Sequence, residues 1–206
     1  IINPYDEIAL SKAVELSESH QATITLVNVG DASADPIIRK ALAVGGNEAI
    51  RVNAAPRDAY FVASQIAQVA RNGNFDLILT GRESIDYNGS QVAAMVGALL
   101  DIPSISICKS LKIEGNAVIV EREIEGGKEI VQCPMPVILS ATEGMAEPRI
   151  ANMRGIATSR TKPLNVVEPV EVPVMNQVIG YDKPAPRGQV NLVPADQTDQ
   201  LVDLLH

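Results

Sequence analysis

The chain of 206 residues has no tryptophan, two cysteines (Cys108, Cys133) and two histidines (His20, His206). Neither pair stands at metal-ligand spacing, which sets aside zinc sites, disulfide frameworks and serine or cysteine triads. So little cysteine fits a reducing, cytosol-like compartment. Cations are also scarce: 17 Lys and Arg stand against 25 Asp and Glu, a net charge of −8. Such a surface argues against nucleic acid and against anionic membranes. No apolar run approaches the roughly 20 residues that span a bilayer, so no direct membrane insertion is expected. No signal peptide is visible. The first residue is Ile1 rather than Met, so the natural protein is expected to begin earlier, with any targeting signal in that earlier part.

What is present is enough to fold. Apolar residues make up 46% and charged residues 20%, a globular composition with room for a real core. The first two thirds alternate strand and helix. Asn3-Pro4-Tyr5-Asp6 opens a helical pattern with Pro4 in the first turn, where a missing N–H costs nothing. The β-branched run Ala22 to Val29 reads as a buried strand ending at Gly30, and Ile37 to Val44 as a helix closed by Gly45-Gly46. Ile50 to Ala54 and Asp76 to Thr80 are short strands around a helix over Asp58 to Arg71, and Ser90 to Leu100 is an Ala-rich helix. Strands spaced by such helices make βαβ crossovers, so the fold class is α/β with a mainly parallel, doubly wound sheet.

From Ser104 the pattern changes. Ser104 to Ile113, Ala117 to Ile124 and Lys128 to Cys133 are strands joined by Glu114-Gly115-Asn116 and Glu125-Gly126-Gly127, which predicts an antiparallel hairpin region. A last short strand follows at Pro136 to Ser140. Residues 1–162 are thus expected as one α/β domain. Beyond Lys162, six prolines between Pro163 and Pro194 exclude a long helix or a central strand. The valines among them (Val166, Val167, Val170, Val172, Val174, Val178) are too apolar for a free linker. Residues 163–206 read as an extended arm that needs a surface to lie on, ending in a short amphipathic helix from Gln197 to Leu205.

In an open parallel sheet, ligands bind beyond the carboxyl ends of the strands. The loop Gly81-Arg-Glu-Ser-Ile-Asp-Tyr-Asn-Gly-Ser-Gln91 lies there. Gly81 and Gly89 permit close backbone approach, Ser90 or Asn88 is suited to cap the next helix, and the N–H groups of Ser90, Gln91 and Val92 would converge on an anion. Asp86 would accept from a ribose hydroxyl or an adenine amine. The spacing is neither a Gly-x-Gly-x-x-Gly nor a Walker A motif, and by itself it divides evenly between a phosphate site and an ordinary strand–loop–helix turn. Its ten-residue length favours function. Glu121, Glu123 and Glu125 share one strand face and read as a solvated edge. Arg149, Arg154, Arg160 and Lys162 gather around Asn152-Met153 as either a docking surface or a basic helix end. No nucleophile stands beside a base, which disfavours a stand-alone enzyme.

Several stretches together resemble the β subunit of electron-transfer flavoprotein. The most specific runs from Val120-Glu-Arg122 through the Glu125-Gly126-Gly127 hairpin and Glu129 to Pro136-Val-Ile-Leu-Ser140. Asn3-Pro4-Tyr5-Asp6, Gly81 to Val92, Glu147-Pro148-Arg149 and Pro184-Ala-Pro186-Arg187 extend the likeness over essentially the whole chain. It implies a Rossmann-like, adenine nucleotide α-hydrolase-like fold with a C-terminal arm wrapped on an α subunit. It also implies FAD at the complex, held mainly by that α subunit, and a structural AMP in this subunit. By matching positions, the nucleotide contacts would be Asn3, Pro4, Tyr5, Asp6, Val29, Gly81, Ile85, Asp86, Tyr87, Asn88, Gly89, Ser90, Gln91 and Val92. The loop Ile150-Ala151-Asn152-Met153-Arg154-Gly155-Ile156, continuing to Ser159, would anchor flavin dehydrogenases, with Met153 where the family has leucine.

The function implied is an electron carrier subunit passing electrons from flavin dehydrogenases, such as acyl-CoA dehydrogenases, to a membrane quinone oxidoreductase or similar acceptor. The compartment would be cytoplasmic, or the mitochondrial matrix if a preceding segment targets it there. The family's opening strand has no counterpart here, so the natural protein is expected to carry one ahead of Ile1. Ile85-Asp-Tyr-Asn-Gly-Ser90 departs from the Asp-Gly-Asp run of electron-bifurcating members, and the bulk of Tyr87 favours AMP over a second FAD. The rival readings are such a bifurcating member and a stress-type ATP-binding sensor module; a nucleotide-hydrolysing enzyme lacks a base and metal ligands.

Overall fold

The computed structural model describes residues 1–190 and 192–205. Asn191 and His206, the last residue of the expected arm, lie outside them. Among the described residues the order is α1 (Pro4–His20), β1 (Thr25–Val29), α2 (Asp35–Val44), β2 (Glu48–Val52), α3 (Ala59–Gly73), β3 (Leu77–Gly81), α4 (Val92–Leu100), β4 (Ser104–Glu114), β5 (Ala117–Ile124), β6 (Gly127–Pro134), β7 (Val137–Ala141), α5 (Met153–Ser159), β8 (Leu164–Val167) and α6 (Thr198–Leu205).

The α/β reading holds, and the strands form two sheets rather than one. β1-β2-β8 are parallel, and β3-β7-β4-β5-β6 pair in parallel up to β4 and antiparallel beyond it. β1 and β3 each have a single hydrogen-bonded neighbour, and every residue of both is only half-buried. The hairpins form where the glycines predict: Gly115 and Gly126 take φ of +60° and +80°, where a Cβ would be strained. β7 is buried along its whole length, Val137 to Ala141, and heads the larger core with Ile105, Cys108, Val118 and Val120. Burial pushes the Cys108 thiol up to about 12.

Some boundaries move for local reasons. The strand expected from Ala22 starts at Thr25, because Ile24 exchanges bonds with Asn47 instead: its N–H donates to Asn47 Oδ1 (2.8 Å) and its carbonyl accepts from Asn47 N (2.9 Å). The sheet also runs past Lys162. Leu164–Val167 adds a short edge strand beside β2, where a preceding proline removes no ladder bond. Lys162 secures this junction by donating to Leu42 O (2.8 Å) and Gly46 O (2.6 Å). It is therefore spent inside the fold rather than offered to a partner. Glu121 and Glu123 pair with Lys128 and Lys109, the solvated strand edge expected of them.

Candidate functional site

The carboxyl ends of β1 and β3 open on a cleft of about 850 Å³. One wall is the start of α1. Pro4 occupies the first helical turn and Asn3 the cap. The Asn3 amide makes no cap bond to the α1 backbone. The Nδ2 donates to Glu83 O (2.8 Å) and to Asp6 Oδ2 (3.0 Å), and Oδ1 accepts from Ile85 N (3.2 Å). Asp6 Oδ1 accepts from Gly81 N at 2.6 Å. That approach requires glycine, because a Cβ at Gly81 would stand 2.7 Å from Tyr5 Cβ and 2.8 Å from Asp6 N. Crowding by protein atoms, the largest influence, raises the Asp6 carboxyl above its ordinary value, and the bonds from Gly81 and Asn3 partly offset this.

The loop after β3 is braced by charge. Arg82 lies over the Tyr5 ring, 4.7 Å from its centroid, and its Nε and Nη2 donate to Glu83 Oε1 at 3.0 and 2.8 Å. The other Glu83 oxygen accepts from Ser90 Oγ at 2.8 Å. Arg82 is the main reason the Glu83 carboxyl lies below the usual range. Neither Ser90 nor Asn88 caps the next helix. Both take positive φ, +50° and +48°, and α4 starts at Val92 behind an uncapped Gln91. The first-turn N–H groups are therefore those of Gln91, Val92, Ala93 and Ala94, one to two residues further on than the loop reading placed them. Gln91, Val92 and Ala93 line the cleft.

Of the other expected contacts, Asp6, Val29, Gly81, Asp86, Tyr87, Gly89 and Ser90 also line the cleft. Asn3, Pro4 and Tyr5 build its wall from behind, while Ile85 and Asn88 belong to the loop's outer turn, with Asn88 N donating to Ser84 O (2.8 Å). Asp86 has one oxygen engaged by Tyr87 N at 2.9 Å, and the Ser84 hydroxyl holds its carboxyl below the usual range. Three features were not legible in the loop itself. Asn28 Oδ1 and Thr80 Oγ1, on the strand ends, are shielded from solvent and bond to no described residue. Arg57 faces the cleft beside Phe61, 4.8 Å from the ring centroid, and makes no ion pair among the described residues. Arm residues Asn176, Gln177 and Val178 line the same space.

The expected docking loop is in large part a helix. Asn152, itself extended, caps α5 by accepting Gly155 N on Oδ1 at 2.8 Å, so Ile150 and Ala151 precede the helix and Met153 to Ile156 form its first turn. Ile150 is 94% exposed and Met153 83%. Arg149 is not free for a partner: both its terminal nitrogens meet Glu18, at 2.6 and 2.8 Å.

A cleft beyond the strand ends, lined by the first turn of a helix and by the arm, defines an α/β protein with the site where such folds take ligands. Comparison with known proteins agrees. The family model described as the electron transfer flavoprotein domain matches residues 1–172. A protein named electron transfer flavoprotein subunit beta from Bacillus subtilis is 38% identical over 172 residues, covering 82% of this chain and 67% of that protein. Proteins of the same name from Thermoanaerobacterium thermosaccharolyticum and Homo sapiens are 33% and 32% identical; they align with 79% and 84% of this chain and are themselves covered to 64% and 70%. The chain belongs to the electron transfer flavoprotein β-subunit family. It spans about two thirds of the length of these relatives.

Proposed function

We propose that this chain is the β half of a heterodimeric electron carrier, that its cleft holds AMP, and that an α subunit covers its arm and holds most of the FAD. The observation that carries the reading is the cleft itself. It joins the first-turn amides of α4, the cation of Arg57, which has no ion pair among the described residues, and Asn28 Oδ1 and Thr80 Oγ1, which have no partner among them, in one space. A phosphate suits the amides and the guanidinium, and hydroxyl or amine donors of a nucleoside suit the two orphan oxygens. The residues present therefore fit an adenine nucleotide. Tyr87 narrows the loop side of the cleft, which favours a mononucleotide over a second FAD.

FAD supplies the redox chemistry of such a carrier; the residues of this chain bind, brace and dock. Asn3, Asp6 and Gly81 fix the loop against α1, and Arg82 with Glu83 stiffens its base. Ile150, Met153 and Ile156 offer an exposed apolar anchor for flavin dehydrogenases. Anchoring one end of a carrier raises the effective concentration of its mobile redox centre near the partner. Among the described residues no helix is long and apolar enough to cross a membrane, and two free, buried thiols suit a reducing compartment.

The test is to purify the full-length protein with its α partner, denature the complex, and count nucleotides by chromatography. One FAD and one AMP per heterodimer is the expected result. Two FAD and no AMP would replace the cleft assignment, and no recoverable complex would remove the carrier role.

A further inference from the structure

The arm does not leave the domain at β8. Gln65, 1% exposed on α3, exchanges two hydrogen bonds of 2.8 Å with the backbone of Val170. Five residues further on, Asp58 takes hold of the chain again. Its Oδ1 caps α3 by accepting Phe61 N at 2.7 Å, while its Oδ2 accepts Met175 N at 2.8 Å and Asn176 N at 3.0 Å. Asn176, Gln177 and Val178 then line the cleft. On the far side, the Tyr181 hydroxyl meets the Tyr87 hydroxyl of the β3–α4 loop at 3.0 Å. Residues 175–181 thus run from the first turn of α3, on one side of the cleft, to the loop on the other.

What holds this crossing is polar. Val178 is 53% exposed, Ile179 99% and Tyr181 82%, so little apolar burial keeps the segment down. The carboxylate of Asp58 gives one oxygen to the helix and the other to the arm, and a charged acceptor makes both bonds stronger than neutral ones. The seating of the segment therefore depends on two small fastenings, at Asp58 and at Tyr87.

We propose that residues 175–181 form a strap over the nucleotide cleft and that Asp58 is its clasp, so that a nucleotide bound beneath leaves only when the strap lifts. This rests on the adenine-nucleotide reading of the cleft. Asp58 is a positioning residue: it acts on the nucleotide through the backbone of Met175 and Asn176. The same arm that is offered to a partner subunit thereby sets how long the ligand stays.

The experiment uses the full-length heterodimer loaded with radiolabelled AMP and chased with unlabelled AMP. Asp58→Ser keeps a good helix cap but removes the second oxygen, so the α3 terminus persists and the arm is unclasped. Release is expected to quicken on the order of tenfold, as fits the loss of charge-assisted bonds. The amides of Met175 and Asn176 should lose hydrogen-exchange protection while the melting temperature changes little. Tyr181→Phe leaves the α3 cap untouched and should speed release more modestly, which keeps the test available if the first variant folds poorly. Equal release from the wild type and both variants, with AMP bound in each, overturns the strap alone. A wild-type complex that binds no AMP overturns the nucleotide reading and the strap with it.

Discussion

Gln65 and Val170 satisfy one another completely: the Gln65 amide donates to the Val170 carbonyl and accepts the Val170 N–H, both at 2.8 Å, across 105 residues of sequence. A buried glutamine of α3 is thereby the root of the arm. Replacing it with leucine would strand two backbone groups at a cost of about 1–3 kcal/mol. The denaturant midpoint of Gln65→Leu should fall accordingly, and limited proteolysis should open new cuts between residues 168 and 176. An unchanged cleavage pattern would mean that the arm is rooted elsewhere.

Gly81 permits α1 to lie directly on the end of β3. Gly81→Ala places a Cβ 2.8 Å from the backbone of both Tyr5 and Asp6, a contact that only displacement of α1 can relieve. Overpacking of this kind costs roughly 1–3 kcal/mol. Thermal unfolding should register that loss, and AMP titration should show weakened binding, because the Asn3 and Asp6 bonds to the loop depend on the same approach.

Acid should release the strap. The N–H of Phe61, then those of Asn176 and Met175, hold the Asp58 carboxyl below its ordinary value. A carboxyl whose pKa is lower folded than unfolded stabilises fully above the unfolded value, about 3.9, and the contribution is lost as pH falls through the folded one. Hydrogen exchange at Met175 and Asn176 should therefore accelerate, beyond its intrinsic pH trend, as pH is taken from about 5 to about 3. In Asp58→Ser that extra step should vanish. The charged neighbour of Asp58 in the chain is Arg57.

Met153 is the most exposed large apolar side chain of the first α5 turn, 83% open. On the docking reading, Met153→Ala leaves the heterodimer and its nucleotides intact and slows electron transfer from dehydrogenases, on the order of tenfold or more for an interface anchor. Stopped-flow reduction of the carrier by an acyl-CoA dehydrogenase measures this. Wild-type kinetics with every dehydrogenase tried would remove the anchor from this segment.

The parts of the structure that were legible in sequence are those whose cause is local. Short apolar runs such as Leu77 to Leu79, closed by Gly81, and glycine turns at Gly115 and Gly126 specify strands and hairpins from neighbouring residues alone. The cleft-side loop was visible too, from Gly81 and its unusual length. Its inner detail was not. Ser90 has the chemistry of a helix cap, but Glu83, already fixed by Arg82, takes its hydroxyl, and the helix begins at Val92. Asn152 is a residue type suited to capping a helix, and its cap on Gly155 N turns much of the expected loop into α5. The division into two sheets, the β8 edge and the Asp58 clasp each join segments far apart in the chain, and periodicity does not report on such pairs.

Both cysteines lie in the larger sheet, Cys108 fully enclosed and Cys133 nearly so, and neither lies in β1-β2-β8. With its thiol shifted to about 12, Cys108 is inert to alkylation while the fold is closed. Pulsed labelling of that one sulfur would therefore time the opening of one half of the molecule and stay blind to the other, a reporter of partial unfolding that requires no engineered probe.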